Sequence, residues 1–273
     1  MYCVLTVRRP GDALRCGQIR HANMRPSSRI CLWALQMTLF MGVSLFTDAR
    51  LKQLTKTDQG FTATYEKNGV DAETSAERAL LATGRKPVTD GLLAEGVTLA
   101  WNRRFIAVDE RFQTSLPGVY AIGDVNGVFQ LAHAAHAQGL AAVSDMLGIS
   151  SPINPALVPS CVYTAPEIAS VGLTADDAKA QGLDTVTGKA LTTQNARAMI
   201  EGLGRGFIKL VFHRGTHRLL GAQLFCGRAT DLVGELTLCI ENGLTAEAML
   251  RPLRAHPTFE EAITDAVMAV KFD

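Results

Sequence analysis

Apolar and polar residues alternate along several short segments in the first half of the chain. Residues 61–65 alternate and are rich in β-forming residues, and the Asn68-Gly69 pair that follows is a strong hairpin signal. Helical spacing of apolar residues predicts a longer helix over about residues 132–146. Short apolar runs predict further strands at residues 43–49, 78–83, 97–99, 105–108 and 119–122.

In the second half of the chain, the predicted strands are separated by several predicted helices. Thr174 and Asp177 form a capping-box signature, which opens a helix that ends near Gly182. A linker rich in Ser, Pro and Asn at residues 150–155 predicts a domain boundary. The predicted strands are 160–164, 206–212 and 219–225, the last two joined as a hairpin, and the predicted helices are 231–242, 245–250 and 258–270. Hairpin-paired strands with helices laid on them indicate an α+β domain with an antiparallel sheet.

The last predicted helix has an apolar face. Its apolar residues recur at helical spacing and are Ala262, Ile263, Ala266, Val267 and Val270. So apolar a surface is not left in contact with water. This face and the helix at 231–242 therefore contribute to our expectation that two copies of the chain pair through residues of about 152–273.

Composition and charge narrow the class of protein. Of the 273 residues, 47% are hydrophobic and 19% are charged, and the formal net charge is +1, which is typical of a globular protein. No basic cluster with interleaved aromatic residues is present, so we expect no nucleic-acid partner. The six cysteines form no CxxC or CxxxxC pair. They could pair in a secreted protein, but we expect reduced thiols, no metal site and a cytoplasmic location.

Residues 1–41 differ from the rest of the chain. They contain six arginines and one acidic residue, Asp12, and an uncharged stretch then covers residues 30–46. We expect a non-native leader here, produced by a wrong start site or a shifted frame, with a targeting segment as the alternative. The uncharged stretch is short for a bilayer span and contains Gln36 and Thr38, so we expect no membrane association.

Four segments carry a resemblance to a known family. They are LATGRKP at 81–87, YAIGDVNG at 120–127 with QLAH at 130–133, YTAPEIASVG at 163–172, and AHPTFEE at 255–261. In this order and spacing they resemble the flavin-dependent disulfide reductases, also called class I pyridine nucleotide-disulfide oxidoreductases, and among these the dihydrolipoyl dehydrogenase branch. The segment CGRATD at 226–231 resembles the same branch.

The resemblance implies a fold and a domain order. The fold class is α/β plus α+β, with the remnant of doubly wound FAD- and NAD(P)-binding domains before an α+β dimerisation domain that has an antiparallel sheet. The implied divisions are 1–41 unassigned, 42–87 the end of the NAD-binding domain, 88–150 the C-terminal part of the FAD-binding domain, and 151–273 the dimerisation domain. The implied cofactors are FAD and NAD. The implied partners are a second copy in a homodimer and dihydrolipoamide or a lipoyl-bearing protein as substrate.

Several residues are expected to touch the cofactors. Asp124 follows Gly123 at the end of a predicted strand, where ligands of α/β sheets bind, and its carboxylate can accept hydrogen bonds from sugar-alcohol hydroxyls. The resemblance implies that Asp124 orients the ribityl chain of FAD and that Gly84 approaches the nicotinamide dinucleotide. A turn or helix-capping role for Asp124 and a plain strand-ending turn at Gly84 are the alternatives. The residues that the resemblance places against the flavin, at the start of the predicted helix, are Gln130, Leu131, Ala132 and His133.

His256 is the candidate catalytic base. A dithiol gives up electrons as a thiolate, and since an ordinary thiol has a pKa of about 8.5, a histidine base helps at neutral pH. Pro257 resists helical continuation directly before it. The resemblance implies that Glu261 pairs with the imidazole and that the pair acts across the dimer interface. Alternatively, Glu261 caps the last helix, because Thr258 and Glu261 also fit a capping box.

Three motifs of the family are not found in these 273 residues: a GxGxxG segment for FAD, a second one for NAD, and a CxxxxC redox pair. We therefore expect a truncated C-terminal portion of a dihydrolipoyl dehydrogenase-type enzyme, inactive when isolated. One alternative is a non-catalytic dimerisation fragment. Another is a glutathione- or mercuric-type reductase, although mercuric reductases typically carry a C-terminal cysteine pair and no cysteine follows Cys239 here.

Overall fold

A computed structural model describes residues 4–7, 15–17, 44–46, 48–82 and 84–273 of the chain. Val43, Thr83 and most of the leader predicted at residues 1–41 lie outside the described residues. Contacts divide the chain into two units, Met1–Lys86 and Pro87–Asp273.

The described part of the first unit consists of β-strands. One sheet has the strand order β3-β2-β1-β7 and consists of Val4–Val7 (β1), Arg15–Gly17 (β2), Ser44–Phe46 (β3) and Arg78–Leu81 (β7). An antiparallel meander consists of Ala49–Thr57 (β4), Gly60–Lys67 (β5) and Val70–Ala76 (β6). Asn68 and Gly69, between β5 and β6, take φ values of 54° and 78°, as hairpin turns require, which confirms the predicted hairpin. The strand predicted at 43–49 is interrupted, because Asp48 takes a φ of 56° that no strand residue adopts.

The second unit begins with a small hairpin and a helix. Its elements are Trp101–Asn102 (β8), Phe105–Ile106 (β9), a 3-10 turn at Gly123–Asn126, and the helix Ala132–Leu147 (α1). The predicted helix is confirmed as α1, which ends where Gly148 takes a φ of 66°. The strands predicted at 97–99 and 119–122 do not form. The Val119 N–H donates to the Leu116 carbonyl in a turn, and Tyr120 makes an isolated bridge to Gln113.

The remainder of the second unit is an α+β domain, as predicted. Its antiparallel sheet has the order β10-β11-β14-β13-β12, built from Ser160–Val162 (β10), Glu167–Gly172 (β11), Thr185–Leu191 (β12), Phe207–His213 (β13) and Leu219–Cys226 (β14). The helices are Ala175–Ala180 (α2), Ala196–Ile200 (α3), Ala229–Glu241 (α4), Ala246–Leu250 (α5) and Glu261–Met268 (α6). The capping box predicted at Thr174 is present, with Asp177 as its acidic partner. Among the described residues, no helix is long and apolar enough to cross a bilayer.

The core of this domain lies between the sheet and two of its helices. Helix α4 packs on β11 and β14, and α6 packs on β12 and β13. The fully buried side chains at the centre come from β13, β14 and α6, and include Ile208, Leu210, Phe212, Leu224 and Ile263. The burial of these large side chains is the main stabilising contribution to the domain.

The apolar face of the last helix packs inside its own domain, so it does not supply the exposed surface that we expected it to offer a second copy. Ala262, Ile263, Ala266 and Val267 are each at most 3% exposed. They are buried because they pack on the chain's own sheet, which satisfies the apolar face without a partner. The helix also begins at Glu261, three residues later than predicted.

We expect Gly188→Ala to destabilise the α+β domain. A Cβ atom at Gly188 would lie 1.9 Å from the Ala266 carbonyl oxygen, so α6 and β12 would have to separate, at a cost of about 2 kcal/mol or more. Gly234→Ala, in helix α4, is the matched control. A Cβ there meets nothing within 4 Å, and the change should stabilise the helix by about 0.5–1 kcal/mol. Urea unfolding of both variants measures the difference; equal stabilities would refute the close approach.

Candidate functional site

The structure brings the two predicted catalytic residues together. His256 Nδ1 lies 2.9 Å from Glu261 Oε1. The histidine is in the loop between α5 and α6, and the glutamate is the first residue of α6. The His256 side chain is 70% exposed and that of Glu261 is 29% exposed. The carboxylate can therefore hold the Nδ1 edge of the imidazole while Nε2 remains accessible to a reactant.

Glu261 also binds the backbone that precedes α6. Its Oε2 atom accepts a hydrogen bond from the Thr258 N–H at 2.9 Å. The reciprocal half of a capping box is not formed, because the Thr258 hydroxyl donates to the Ala255 carbonyl at 2.7 Å. The hydrogen bond from the Thr258 N–H and, to a smaller extent, the one with His256 hold the pKa of Glu261 below its usual value. One carboxylate thus binds the backbone before α6 and orients His256. The N-cap residue of α6 is Glu260 and no side chain caps it, so Glu261 does not take the helix-capping role that was the alternative.

A buried asparagine fastens the same loop from the other side. Asn195 Nδ2 donates to the Thr258 carbonyl at 2.9 Å, while Asn195 Oδ1 accepts from the Ala198 N–H. Asn195 is 4% exposed. The backbone after His256 is therefore hydrogen-bonded through both Thr258 polar groups.

The predicted flavin residue Asp124 lies on the 3-10 turn Gly123–Asn126, not at the end of a strand. Gly123 takes a φ of 75°, and a Cβ there would lie 3.1 Å from the Ala135 side chain on α1, so the turn rests closely on the helix. Asp124 is half-buried in the first residues of the turn. Its position on a tight turn agrees with the alternative reading of Asp124 as a turn residue and leaves the ribityl role as a prediction.

Gln138 holds this turn and was not identified from the sequence. Its Oε1 atom accepts from the Gly123 N–H at 2.7 Å and from Asn126 Nδ2 at 2.9 Å, and the side chain is fully buried. Asn126 Nδ2 also donates to the Ala121 carbonyl at 2.9 Å. A glutamine on the otherwise apolar face of α1, fifteen residues after Gly123, was the available signal, since a buried amide requires partners.

The start of α1 presents backbone N–H groups without a side-chain cap. Leu131 is the N-cap residue, no side-chain hydrogen bond caps it, and the first turn contains no acidic residue. These N–H groups carry partial positive charge, which favours an anion beside Ala132. His133 Nε2 contacts the Pro159 carbonyl oxygen at 2.8 Å and so ties α1 to the segment entering β10. Gln130 is half-buried just before the helix.

Gly84 lies in the first unit and takes a φ of 89°. This left-handed backbone favours glycine, and a Cβ would meet no atom within 4 Å. The glycine is therefore explained by its conformation, and its approach to a nicotinamide stays a prediction. Among the described residues, no cluster of three or more His, Cys, Asp or Glu side chains could hold a metal ion.

Two family models match successive parts of the chain. The model described as "Pyridine nucleotide-disulphide oxidoreductase" matches residues 25–139, and "Pyridine nucleotide-disulphide oxidoreductase, dimerisation domain" matches residues 158–267. The chain belongs to the pyridine nucleotide-disulphide oxidoreductase family. The first match includes residues 25–41, within the segment that we assigned to a leader.

Similar proteins of this family are named dihydrolipoyl dehydrogenase. The one from Bacillus subtilis is 36% identical over 231 residues, which are 84% of this chain and 49% of the relative. The one from Chlorobaculum parvum is 40% identical over 191 residues, or 70% of this chain and 41% of the relative. The chain spans about half the length of the curated relatives it matches.

Solved structures of the family share the fold. The crystal structure of LpdA from Mycobacterium tuberculosis matches with a TM-score of 0.78 at 30% sequence identity. The match covers 88% of this chain and 52% of the LpdA chain. The HOCl-induced flavoprotein disulfide reductase RclA from Escherichia coli matches with a TM-score of 0.76 at 23% sequence identity. That match covers 87% of this chain and 54% of the RclA chain. The fold class predicted from the sequence is confirmed.

We expect Gln138→Leu to loosen the turn that carries Asp124. The change leaves the Gly123 N–H without its acceptor in a buried place, at a cost of about 1–3 kcal/mol. His136→Leu, two residues away on the exposed face of α1, is the control and should be near neutral. Amide hydrogen exchange at Gly123, followed alongside urea unfolding, measures the effect; unchanged Gly123 protection would count against the network.

We expect part of the chain's stability to be lost in acid because of Glu261. Its folded pKa is lower than its unfolded pKa, so its contribution is present above the unfolded value and disappears as pH falls through the folded value. The free energy of unfolding should therefore fall from about pH 5 downward, and Glu261→Gln should flatten this decline. The neighbouring, exposed Glu260→Gln is the matched control and should leave the curve unchanged. Parallel curves for all three proteins would show that Glu261 is not the group responsible.

Proposed function

We propose that the chain serves a flavin disulfide oxidoreductase of the dihydrolipoyl dehydrogenase type, which oxidises a dihydrolipoyl group and reduces NAD through FAD and a redox disulfide. The observation that carries the proposal is the His256–Glu261 pair, with 2.9 Å between Nδ1 and Oε1 and an exposed imidazole. The names of the relatives, at 36% and 40% identity, support the choice of substrate class.

His256 acts as the base in this proposal. Its Nδ1–H donates to Glu261, which leaves the Nε2 lone pair free to accept the proton of a substrate thiol. The Glu261 carboxylate then stabilises the imidazolium that forms. The resulting thiolate is the nucleophile that attacks a disulfide sulfur. The old S–S bond breaks, a mixed disulfide forms, and the other sulfur leaves as a thiolate. Because Glu261 is itself fixed by the Thr258 N–H, the imidazole keeps one orientation through the proton transfer.

The turn at Gly123–Asn126 and the start of α1 fit the flavin end of FAD. The half-buried Asp124 carboxylate can accept hydrogen bonds from ribityl hydroxyls, and the uncapped N–H groups at Leu131 and Ala132 favour negative charge on the ring. His133 and Gln130 flank the same helix start. These residues would hold the flavin end of FAD, which would supply an acceptor for the electron pair of the reduced dithiol and a donor to the nicotinamide. Gly84 would approach that nicotinamide.

The three cysteines of the α+β domain do not suit the role of first electron acceptor. Cys161, Cys226 and Cys239 are free thiols. Burial raises the pKa of the Cys226 thiol to about 12, and burial also raises the pKa values of Cys161 and Cys239. Free, buried thiols are typical of a reducing compartment, so we assign the protein to the cytoplasm. The redox disulfide of the proposed reaction must then come from residues other than these.

We also propose a homodimer formed through the domain at 151–273. The match to a dimerisation-domain model supports it. Large apolar side chains remain exposed on this domain, including Leu253, which is fully exposed, and Leu238 on the outer face of α4. A protomer that leaves such residues in water is expected to cover them by association.

We expect His256→Gln to slow dihydrolipoamide oxidation by roughly a hundredfold or more, the usual loss for a general base. The assay combines the chain with the N-terminal half of the Bacillus subtilis relative and follows NADH formation. His136→Gln, on the exposed face of α1, is the control and should keep full activity. Flavin content should not change in either variant. The chain without the added half should show no turnover, and near-normal activity of His256→Gln would remove His256 from the mechanism.

We expect Leu253→Glu to shift the chain from dimer to monomer at micromolar concentration. A charge at this fully exposed position leaves the folded protomer intact but is costly to bury between copies. Val70→Glu, at an apolar position of the first unit that is 68% exposed, is the control and should remain dimeric. Analytical ultracentrifugation reports the state; a monomeric parent chain would contradict the homodimer.

A further inference from the structure

A buried arginine lies two residues before the proposed base. The Arg254 side chain is 8% exposed, although arginine is almost never buried without partners. It belongs to the loop that connects α5 with α6, the same loop that carries His256. The proposed reaction assigns it no role.

The Arg254 guanidinium joins three helices. Nη1 donates to the Met249 carbonyl on α5 at 3.2 Å and to Thr264 Oγ1 on α6 at 2.8 Å. Nη2 forms an ion pair with Glu235 on α4. Thr264 follows Glu261 by three residues, which is about one helical turn. The same side chain therefore fixes both the backbone leading to His256 and the helix that begins with Glu261.

Stability alone does not account for this arrangement. Bringing an arginine and a glutamate into a domain costs desolvation, and apolar side chains of similar volume are often as stabilising. What the guanidinium supplies is geometry, since its planar fork directs several N–H groups along fixed directions and a lysine ammonium does not. Here the fork reaches α5, α6 and Glu235 at once.

We propose that Arg254 is a positioning residue for the His256–Glu261 pair, which it holds in register through the loop backbone and Thr264. This inference rests on the proposed role of His256 as a base. Arg254 acts together with Asn195, which binds the Thr258 carbonyl, so the loop is fastened both before and after His256.

The His256 tautomer reports the register without any assay of activity. Donation of Nδ1–H to Glu261 selects the Nδ1–H form, whereas a free neutral imidazole favours Nε2–H. Nitrogen-15 NMR of the histidine-labelled 273-residue chain at alkaline pH distinguishes the two forms, and His256→Gln assigns the signal. We expect Arg254→Met to lower the ratio of Nδ1–H to Nε2–H at His256 at least threefold. Arg251→Met, an exposed arginine of the same loop, should leave it unchanged.

Two milder variants keep the test decisive if Arg254→Met does not fold. Thr264→Val removes one acceptor of the guanidinium and keeps the ion pair, and Arg254→Lys keeps the charge but not the fork. Both should lower the tautomer ratio by a smaller factor. An unchanged ratio in these variants, with or without a lower unfolding midpoint, would overturn the positioning role and leave only a structural one. A lowered ratio beside a fully active His256→Gln would instead refute the proposed base and leave the positioning intact.

Discussion

The antiparallel pairing of β13 with β14 is the constraint on which the second unit depends. Residues of both strands are buried along almost their whole length, from Phe207 to Phe212 and from Leu219 to Cys226. Strands buried on both faces cannot slip in register without exposing apolar side chains. Helices α4 and α6 pack against this sheet, and the loop with His256 ends where α6 begins at Glu261. The position of the proposed base is thus a consequence of the hairpin's register.

The close fit between sheet and helix extends to single atoms. Gly188 in β12 and Gly227 after β14 leave room for α6 and for the Phe259 ring, respectively. Because the α6 backbone rests on a glycine, Glu261 at its first turn has little freedom to move. A carboxylate held this firmly can accept two hydrogen bonds of fixed direction, one from Thr258 and one from His256. The fixed geometry of the His256–Glu261 pair therefore depends on the packing of α6 against the sheet.

Local patterns predicted the elements whose signals are local. The Asn68-Gly69 turn, the Thr174 capping box and helix α1 all follow from residues close in sequence, and the structure contains each of them. The pairing of His256 with Glu261 also followed from a short motif. Strand β12 was missed because Gly188 interrupts its β-forming pattern, and that glycine is required by a helix far along the chain.

The errors concern partners that lie far away in sequence. Helical spacing showed that the last helix has an apolar face but not what covers it, and the cover is the chain's own sheet. Residues 119–122 have a strand-like composition, yet a strand forms only beside neighbours, and Tyr120 pairs with Gln113 alone among the described residues. Gln138 was overlooked because its role appears only when the turn at Gly123 is folded against α1.

The two halves of the proposed site are fastened by different chemistry. Around Gly123 the fastening consists of the amide groups of Gln138 and Asn126 and of backbone carbonyls, none of which gains or loses a proton in the physiological range. Around His256 it consists of a carboxylate and an imidazole, and both of these groups exist in protonated and deprotonated forms. The hydrogen bonds that hold the Gly123 turn are therefore expected to persist over a wide pH range, and the only proton transfer that we propose takes place at the loop with His256.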